Sequence, residues 1–363
     1  MKRRVLDVLQ CPISGTPLTL TEPTNASCAN EDTNRDVEIE CGRLTSEAGH
    51  TFPIRAGVPR LLPDLALTSH TAGTDSLEDK DTPGRAIGAS FGREWQHFDP
   101  ETSRTWHDTL DERCDLFLKE VDCSAGALPG KWVLDAGCGN GSLSHRIAQM
   151  GCDVLATDVA DSVEAAHRYY ATANDASVHF VQMDLMNPAY REGVFDIVYA
   201  SGVLHHNPDT RQAFEAISKA VAPGGKIYIW VYHHADSLKF RLQLLLRRLI
   251  APLPAPVKHG FVRLWSVQSM LRQHVRTLLG LNDAKDRLTW RERTIDLMDI
   301  YTPRYRWMHS QDEVKQWYQT LGFEDVKVTE VRDWGFGVVG TRPATSGSAD
   351  TAGAVSAQTA GKQ

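Results

Sequence analysis

No apolar run in the 363 residues is long enough to cross a bilayer uninterrupted, so no segment reads as a membrane-spanning helix. The opening stretch, MKRRVLDVLQCPISG, is basic and then only briefly apolar, too short and too broken for a secretory signal. A cytoplasmic location is the expectation. Positive charge is also scarce: 39 lysines and arginines face 46 aspartates and glutamates, and the formal net charge of -7 gives no overall electrostatic footprint for nucleic acid. Seven cysteines, an odd number scattered over a long chain, fit a reducing compartment better than a disulfide scaffold. No internal repeat is visible. With 42% hydrophobic and 23% charged residues, what remains is a globular chain large enough for one sizeable core and a smaller module.

Composition divides the chain. Residues 1–63 hold Cys11, Cys28 and Cys41, several turn residues and the strand-like HTFPIRAGVPRLLP, and read as a small β-rich module. Residues 64–90, which include TSHTAGTDSLEDKDTPGRAIGAS, are poor in apolar side chains and read as a linker. The main domain occupies 91–342. From Lys131 to Tyr232 apolar runs such as WVLDAG, DVLATDV, VHFVQMD, FDIVYAS and KIYIWVY alternate with helical patterns such as SLSHRIAQM and TRQAFEAISKAVA. That alternation predicts an α/β fold, doubly wound and Rossmann-like, with a parallel sheet covered by helices. A helical insertion at about 235–310 interrupts the series before QDEVKQWYQTLGF, DVKVTEVR and GFGVVGTR resume it. Residues 343–363, rich in Ala, Thr, Ser and Gly, read as a disordered tail.

The stretch VLDAGCGNGSLSHRIAQMG lacks the last glycine of the dinucleotide fingerprint, because Ser142 stands where G-x-G-x-x-G needs glycine. A strand ending in Asp135, then Gly137, Gly139 and Gly141, then a helix, predicts a tight turn with exposed backbone N–H groups facing a polar ligand. Asp158 closes DVLATD and Asp184 closes VHFVQMD. Either could simply cap a turn. At three successive strand ends, the aspartates favour a ligand at the carboxyl edge of the sheet, where open α/β sheets bind. Cys138, inside the loop, reads as a small space-filler.

The spacing D-x-G-x-G-x-G, followed in order by DVLATDVA, VHFVQMDLMN, FDIVYASGVLHHNPD and VAPGGKIYIWVY, resembles the class I S-adenosylmethionine-dependent methyltransferases of the type 11 kind. The resemblance covers residues 90–342, with the insertion matched only loosely. It implies a seven-stranded, mostly parallel sheet, a transferase, and S-adenosyl-L-methionine as cofactor. It also implies that Asp135, Gly137, Cys138, Gly139 and Gly141 meet the amino-acid part of that cofactor, Asp158 its ribose hydroxyls and Asp184 its adenine. Val159, Met183, Leu185 and Ser201 complete the implied site.

Methyl transfer from a sulfonium is an in-line displacement, for which a protein mainly aligns the acceptor and excludes water. A hydroxyl or amine acceptor must also lose a proton, and His205 and His206, directly after the fourth strand, are the candidate bases; in many family members the first such histidine instead shapes the loop. The loop ASGVLHHNP carries neither an Asn/Asp-Pro-Pro-Tyr/Phe run nor a Pro-Cys pair. Those absences disfavour base or glutamine amino methylation and thiolate chemistry on pyrimidines. O-, N- or C-methylation of a small or lipid-linked molecule remains. Trp230, Tyr232, His233 and His234 could line its pocket, as could Tyr301, Tyr305, Trp307 and His309 from the insertion and Trp95 from the lid-like FGREWQHF, with ordinary core packing the alternative for the aromatics. An RNA methyltransferase and a non-catalytic partner subunit are the rival classes.

Two further features stand apart. In LKFRLQLLLRRLIAPLP, Leu242, Leu245, Leu246, Leu249 and Ile250 make one helical face with Arg241, Arg247 and Arg248 elsewhere, which suits docking on the domain or peripheral contact with an anionic membrane. VLDVLQCPISGTPLTL and ECGRLTSEAGHTFPIRAGVPRLLP resemble a small zinc-ribbon-like domain that occurs alone, as an activator of tRNA methyltransferases, and fused ahead of methyltransferases. Structural zinc wants four ligands, usually in close Cys pairs. Ser14 replaces one expected cysteine, so either Cys11, Cys28, Cys41 and His50 hold zinc or the module is metal-free and held by its apolar strands.

Overall fold

The computed structural model describes residues 1–21, 38–66, 84, 87–88, 92, 108–170, 177–234, 238–281 and 288–344. In the N-terminal module, β1 (Leu18–Thr21), β2 (Gly42–Ser46), β3 (Thr51–Arg55) and β4 (Val58–Leu61) pair successively as an antiparallel meander. Leu44, Phe52 and Leu61 are wholly buried there. α1 (Leu110–Glu120) follows, opened by a capping box in which Thr109 and Glu112 satisfy each other's backbone N–H groups. The alternation foreseen in the sequence then appears: β5 (Trp132–Ala136), α2 (Ser142–Ala148), β6 (Asp153–Asp158), α3 (Ser162–Tyr170), β7 (Ser177–Met183), β8 (Phe195–Ser201), α4 (Thr210–Ser218) and β9 (Val221–Tyr232). β5 and β6 are buried along nearly their whole length, as strands covered on both faces must be. The insertion supplies α5 (Leu238–Ile250), α6 (Ala255–Leu278) and α7 (Trp290–Tyr301), and α8 (Gln311–Thr320), β10 (Glu324–Arg332) and β11 (Gly335–Thr341) complete the described chain.

The sheet runs β1-β2-β3-β4-β7-β6-β5-β8-β9-β11-β10. Among the described residues eleven strands replace the seven expected, and the sheet is mixed rather than mostly parallel. The cause is a short parallel junction, Arg60 opposite Gln182 and Leu61 opposite Met183, that joins the module's meander to the outer edge of β7. One apolar core continues across it, from Val5, Leu9 and Phe52 to Leu134, Val198 and Phe336. The junction covers backbone groups that β7 would otherwise present as an open edge.

Three expectations meet the structure here. No group of three or more His, Cys, Asp or Glu side chains is placed to hold a metal among the described residues. Cys11 Sγ lies 3.7 Å from His50 Nδ1 and Cys41 is exposed, while Cys28 falls outside the described residues, as do Trp95 and most of the linker and tail. On α5 the single apolar face is not realised. Ile250 turns inward together with Arg247, whose guanidinium donates to the carbonyls of Ile300 (2.8 Å) and Pro303 (2.6 Å), while Leu242, Leu245 and Leu249 face outward. The free carbonyls at the end of α7 explain this, since a cation placed there satisfies acceptors that the helix leaves unpaired.

Candidate functional site

The sheet order changes direction at β5, which lies between β6 and β8, and the turn after β5 opens onto the resulting crevice. Gly137 has φ +89°, and a Cβ there would lie 2.3 Å from Val203 Cγ2. A side chain at Gly141 (φ +74°) would meet the ring of Phe180 at 2.4 Å. The glycines are therefore required by backbone shape and close approach. The free N–H row expected of this turn is not there. Gly137 and Cys138 donate to the Thr157 carbonyl (2.7 and 2.9 Å), Gly139 to Asp158 Oδ2 (3.0 Å) and Ser142 to Asn140 Oδ1 (3.1 Å).

What faces the crevice instead is carboxylate. Asp158 accepts from the backbone N–H groups of Gly139 and Ala160 (3.0 and 2.9 Å), yet burial pushes its carboxyl up to about 6. Asp135 lies beneath the turn and accepts from Ser144 Oγ at 2.6 Å. Burial, reinforced by the Asp158 charge, raises it to about 6 against that hydrogen bond. Asp184, raised by burial, accepts from the N–H of Met186 (2.9 Å) and from Asn187 (3.4 Å). Among the described residues neither Asp158 nor Asp184 forms an ion pair. Cys138 is held far above the usual thiol range by burial and by both nearby aspartates, an environment that disfavours a thiolate.

Gly137, Asp158, Val159, Asp184, Leu185, Ser201 and His206 come together as walls of one cleft of about 700 Å³, counted with its open mouth. Asp135, Cys138, Gly139, Gly141 and Met183 are not among its walls; Met183 is wholly buried. His206 contributes Nε2. Its Nδ1 faces the Tyr305 carbonyl at 3.0 Å, and a carbonyl can only accept, so Nδ1 carries the proton. Nε2 then faces Asp299 Oδ1 at 3.3 Å and His205 Nε2 at 3.1 Å. His205 is fully buried and held well below the usual histidine range by that burial and by the neighbouring His206, so it stays neutral.

These glycines, the three strand-end aspartates and the two histidines fall within one recognised span. Residues 134–229 match the methyltransferase domain family. Over 138 residues the chain is 35% identical to the ubiquinone biosynthesis O-methyltransferase of Cronobacter sakazakii, a match covering 36% of this chain and 56% of that protein. Over 115 residues it is 34% identical to the Acinetobacter baumannii protein of the same name, covering 31% and 48%. The chain thus spans about half the length of the curated relatives it matches. A solved structure, magnesium protoporphyrin IX methyltransferase from Synechocystis PCC 6803 with bound SAH, aligns with 71% of this chain and 97% of that one at 16% identity and a TM-score of 0.42, a distant likeness.

A second cavity, about 400 Å³, shares Ser201, Gly202 and Asp299 with the first. Trp230, Tyr232 and Trp334 give it aromatic walls; Arg113, Glu330 and Arg332 complete it. Asp299, on α7, is the residue that sequence reasoning missed. It accepts from Tyr232 Oη as well as facing His206; although burial alone would raise it, the hydrogen bond and charge that His206 supplies when protonated, together with the Arg306 charge and the Tyr232 bond, hold its carboxyl below the usual range. The guanidinium of Arg306 stacks over Tyr232 at 4.0 Å. The other foreseen aromatics are placed differently. Tyr301 packs on Phe261 and Trp265 in the insertion's own core, Trp307 is half exposed with Nε1 on the Asn207 carbonyl, and Tyr305 contributes its carbonyl to His206. His233 bonds the Arg332 carbonyl, and His309 lies between Glu313 and Thr210.

Proposed function

We propose that this chain is an S-adenosylmethionine-dependent methyltransferase that methylates a hydroxyl oxygen of a small aromatic molecule, free or lipid-linked. The observation that carries the reading is the convergence of Asp158 and Asp184, above Asp135, on one cleft where no cation among the described residues pairs them. Such a cleft fits a ligand that brings hydroxyl and amino donors and a positive charge. It does not fit a phosphate, which the carboxylates would repel and for which the turn has few free donors.

Asp158 would hold the ribose hydroxyls, with Val159 against the ring, Asp184 and Leu185 would hold the adenine, and the turn from Asp135 to Gly141 would hold the amino-acid end. When bound, S-adenosylmethionine supplies an electrophilic methyl group on a sulfonium. The second cavity would hold the acceptor, its ring between Trp230, Tyr232 and Trp334 and its hydroxyl directed toward the shared wall at Ser201 and Asp299. His206 Nε2 accepts the hydroxyl proton, and Asp299 receives the new N–H and balances its charge. His205 acts by position, fixing the ring of His206. α7 supplies Asp299 to the wall shared by the two cavities and would help to keep water from the reacting atoms. The part-length relatives are named as O-methyltransferases, which agrees with an oxygen acceptor.

Calorimetry with S-adenosylhomocysteine tests the cofactor assignment, and transfer of a labelled methyl group to a panel of phenols tests the acceptor. Binding of the nucleoside at micromolar strength followed by labelled methyl ethers is the expected result. A cleft that ignores the nucleoside overturns the proposal.

A further inference from the structure

The helical pair α5–α6 presents an apolar surface that nothing in the described chain covers. Leu238, Leu242, Leu245 and Leu249 on α5 and Leu264, Val267, Leu271, Val275 and Leu278 on α6 are all exposed, Leu264 and Leu278 each by 73%. Their spacings, four-three-four and three-four-four-three, keep each row within an arc of about 80° at 3.6 residues per turn. The opposite side of α6 is spoken for: Val262 and Ser266 are buried against α7, where Ser266 meets Thr294 at 3.0 Å. The exposed rows therefore point away from the domain.

Charge selects the occupant. Residues 238–281 contain no aspartate or glutamate, in a chain whose net charge is -7. Arg241 and Arg248 border the α5 row; Arg263 on one side and Arg272 and Arg276 on the other border the α6 row, and all five are exposed. A second copy would set these arginines against their own equivalents with no carboxylate to relieve them. A bilayer with anionic headgroups accepts both components at once, leucines at the acyl boundary and guanidinium groups among phosphates. No described helix is long and apolar enough to cross a membrane, so the pair would lie on the surface.

We infer that α5 and α6 dock this protein on an anionic phospholipid membrane surface. The inference stands independently of methyl transfer, although the opposite face of α6 packs on α7, whose Asp299 walls both cavities. Flotation of the full chain with vesicles tests it. Vesicles of phosphatidylcholine with about one third phosphatidylglycerol are expected to carry at least about tenfold more protein than phosphatidylcholine alone, and raised salt should weaken the binding. A Leu264→Asp, Leu271→Asp pair should abolish flotation, and an Arg263→Gln, Arg272→Gln pair, which leaves the apolar rows intact, should weaken it about tenfold. Circular dichroism confirms that each variant is folded. Protein that does not float, that floats equally after both paired substitutions, or that sediments as a dimer which Leu264→Asp dissociates, overturns the inference.

Discussion

Replacing Asp158 by alanine separates the residue's cost to the fold from its use in binding. In the ligand-free protein its folded pKa of about 6 lies above the ordinary aspartate value of about 4. A carboxyl shifted that way contributes most below about pH 4, and the contribution is lost as pH rises through 6. At pH 8 the buried charge therefore costs about 3 kcal/mol. Alanine removes that cost but orphans the N–H groups of Gly139 and Ala160, at about 1–2 kcal/mol each. The two effects nearly cancel, so the melting temperature should move by only a few degrees. Binding has no such cancellation. Two charge-assisted bonds to ribose hydroxyls, at about 1.5–3 kcal/mol each, predict a loss of S-adenosylhomocysteine affinity of about 10²- to 10⁴-fold by calorimetry at about pH 8. At about pH 5 most of the wild-type carboxyl is protonated, and the gap should narrow by roughly tenfold. A variant that keeps full affinity at pH 8 refutes the assignment.

Three other substitutions probe the surrounding structure. Gly137→Ala sets a Cβ against Val203 at a left-handed φ, and the strain of about 1–2 kcal/mol plus overpacking of about 1–3 kcal/mol should show as a clear drop in melting temperature. His206→Gln should lower kcat by about 10²-fold or more while S-adenosylhomocysteine still binds, because the base is lost and the three aspartates remain. Equal loss of kcat and cofactor affinity would instead assign His206 to binding. Arg247→Met removes two hydrogen bonds at the end of α7, for about 2–4 kcal/mol, and hydrogen exchange should report faster opening of residues 298–303 than of β5.

The strand-end half of the candidate site, the half proposed to hold the cofactor, was legible because it is local. Asp135, Gly137, Asp158 and Asp184 sit at fixed offsets from strand ends, and strand ends announce themselves by apolar runs. The acceptor half is assembled from distant pieces. Asp299 reaches His206 only because α7 folds back over the sheet, and Arg113 and Trp334 arrive from opposite ends of the domain. Aromatic residues carry no mark of destination either: Tyr232 walls a cavity, whereas Tyr301, equally promising in sequence, packs on Trp265. The free N–H row failed for a different reason, since the Thr157 carbonyl and Asp158 already take the donors of the turn. The strand count also depended on tertiary contact, because the two-residue junction of β4 with β7 has no sequence signature of its own.

That junction gives the N-terminal module a hand on the Asp158–Val159 side of the crevice. Arg60 of β4 pairs with Glu164 and donates to Gln182 Oε1 at 3.0 Å, and the Gln182 amide in turn grips the Val159 carbonyl at 3.0 Å. Val159 is itself a wall of the cleft. The module is thus a structural brace for the adjoining floor, and anything that seized or released it would be felt along the Val159 wall of the cleft.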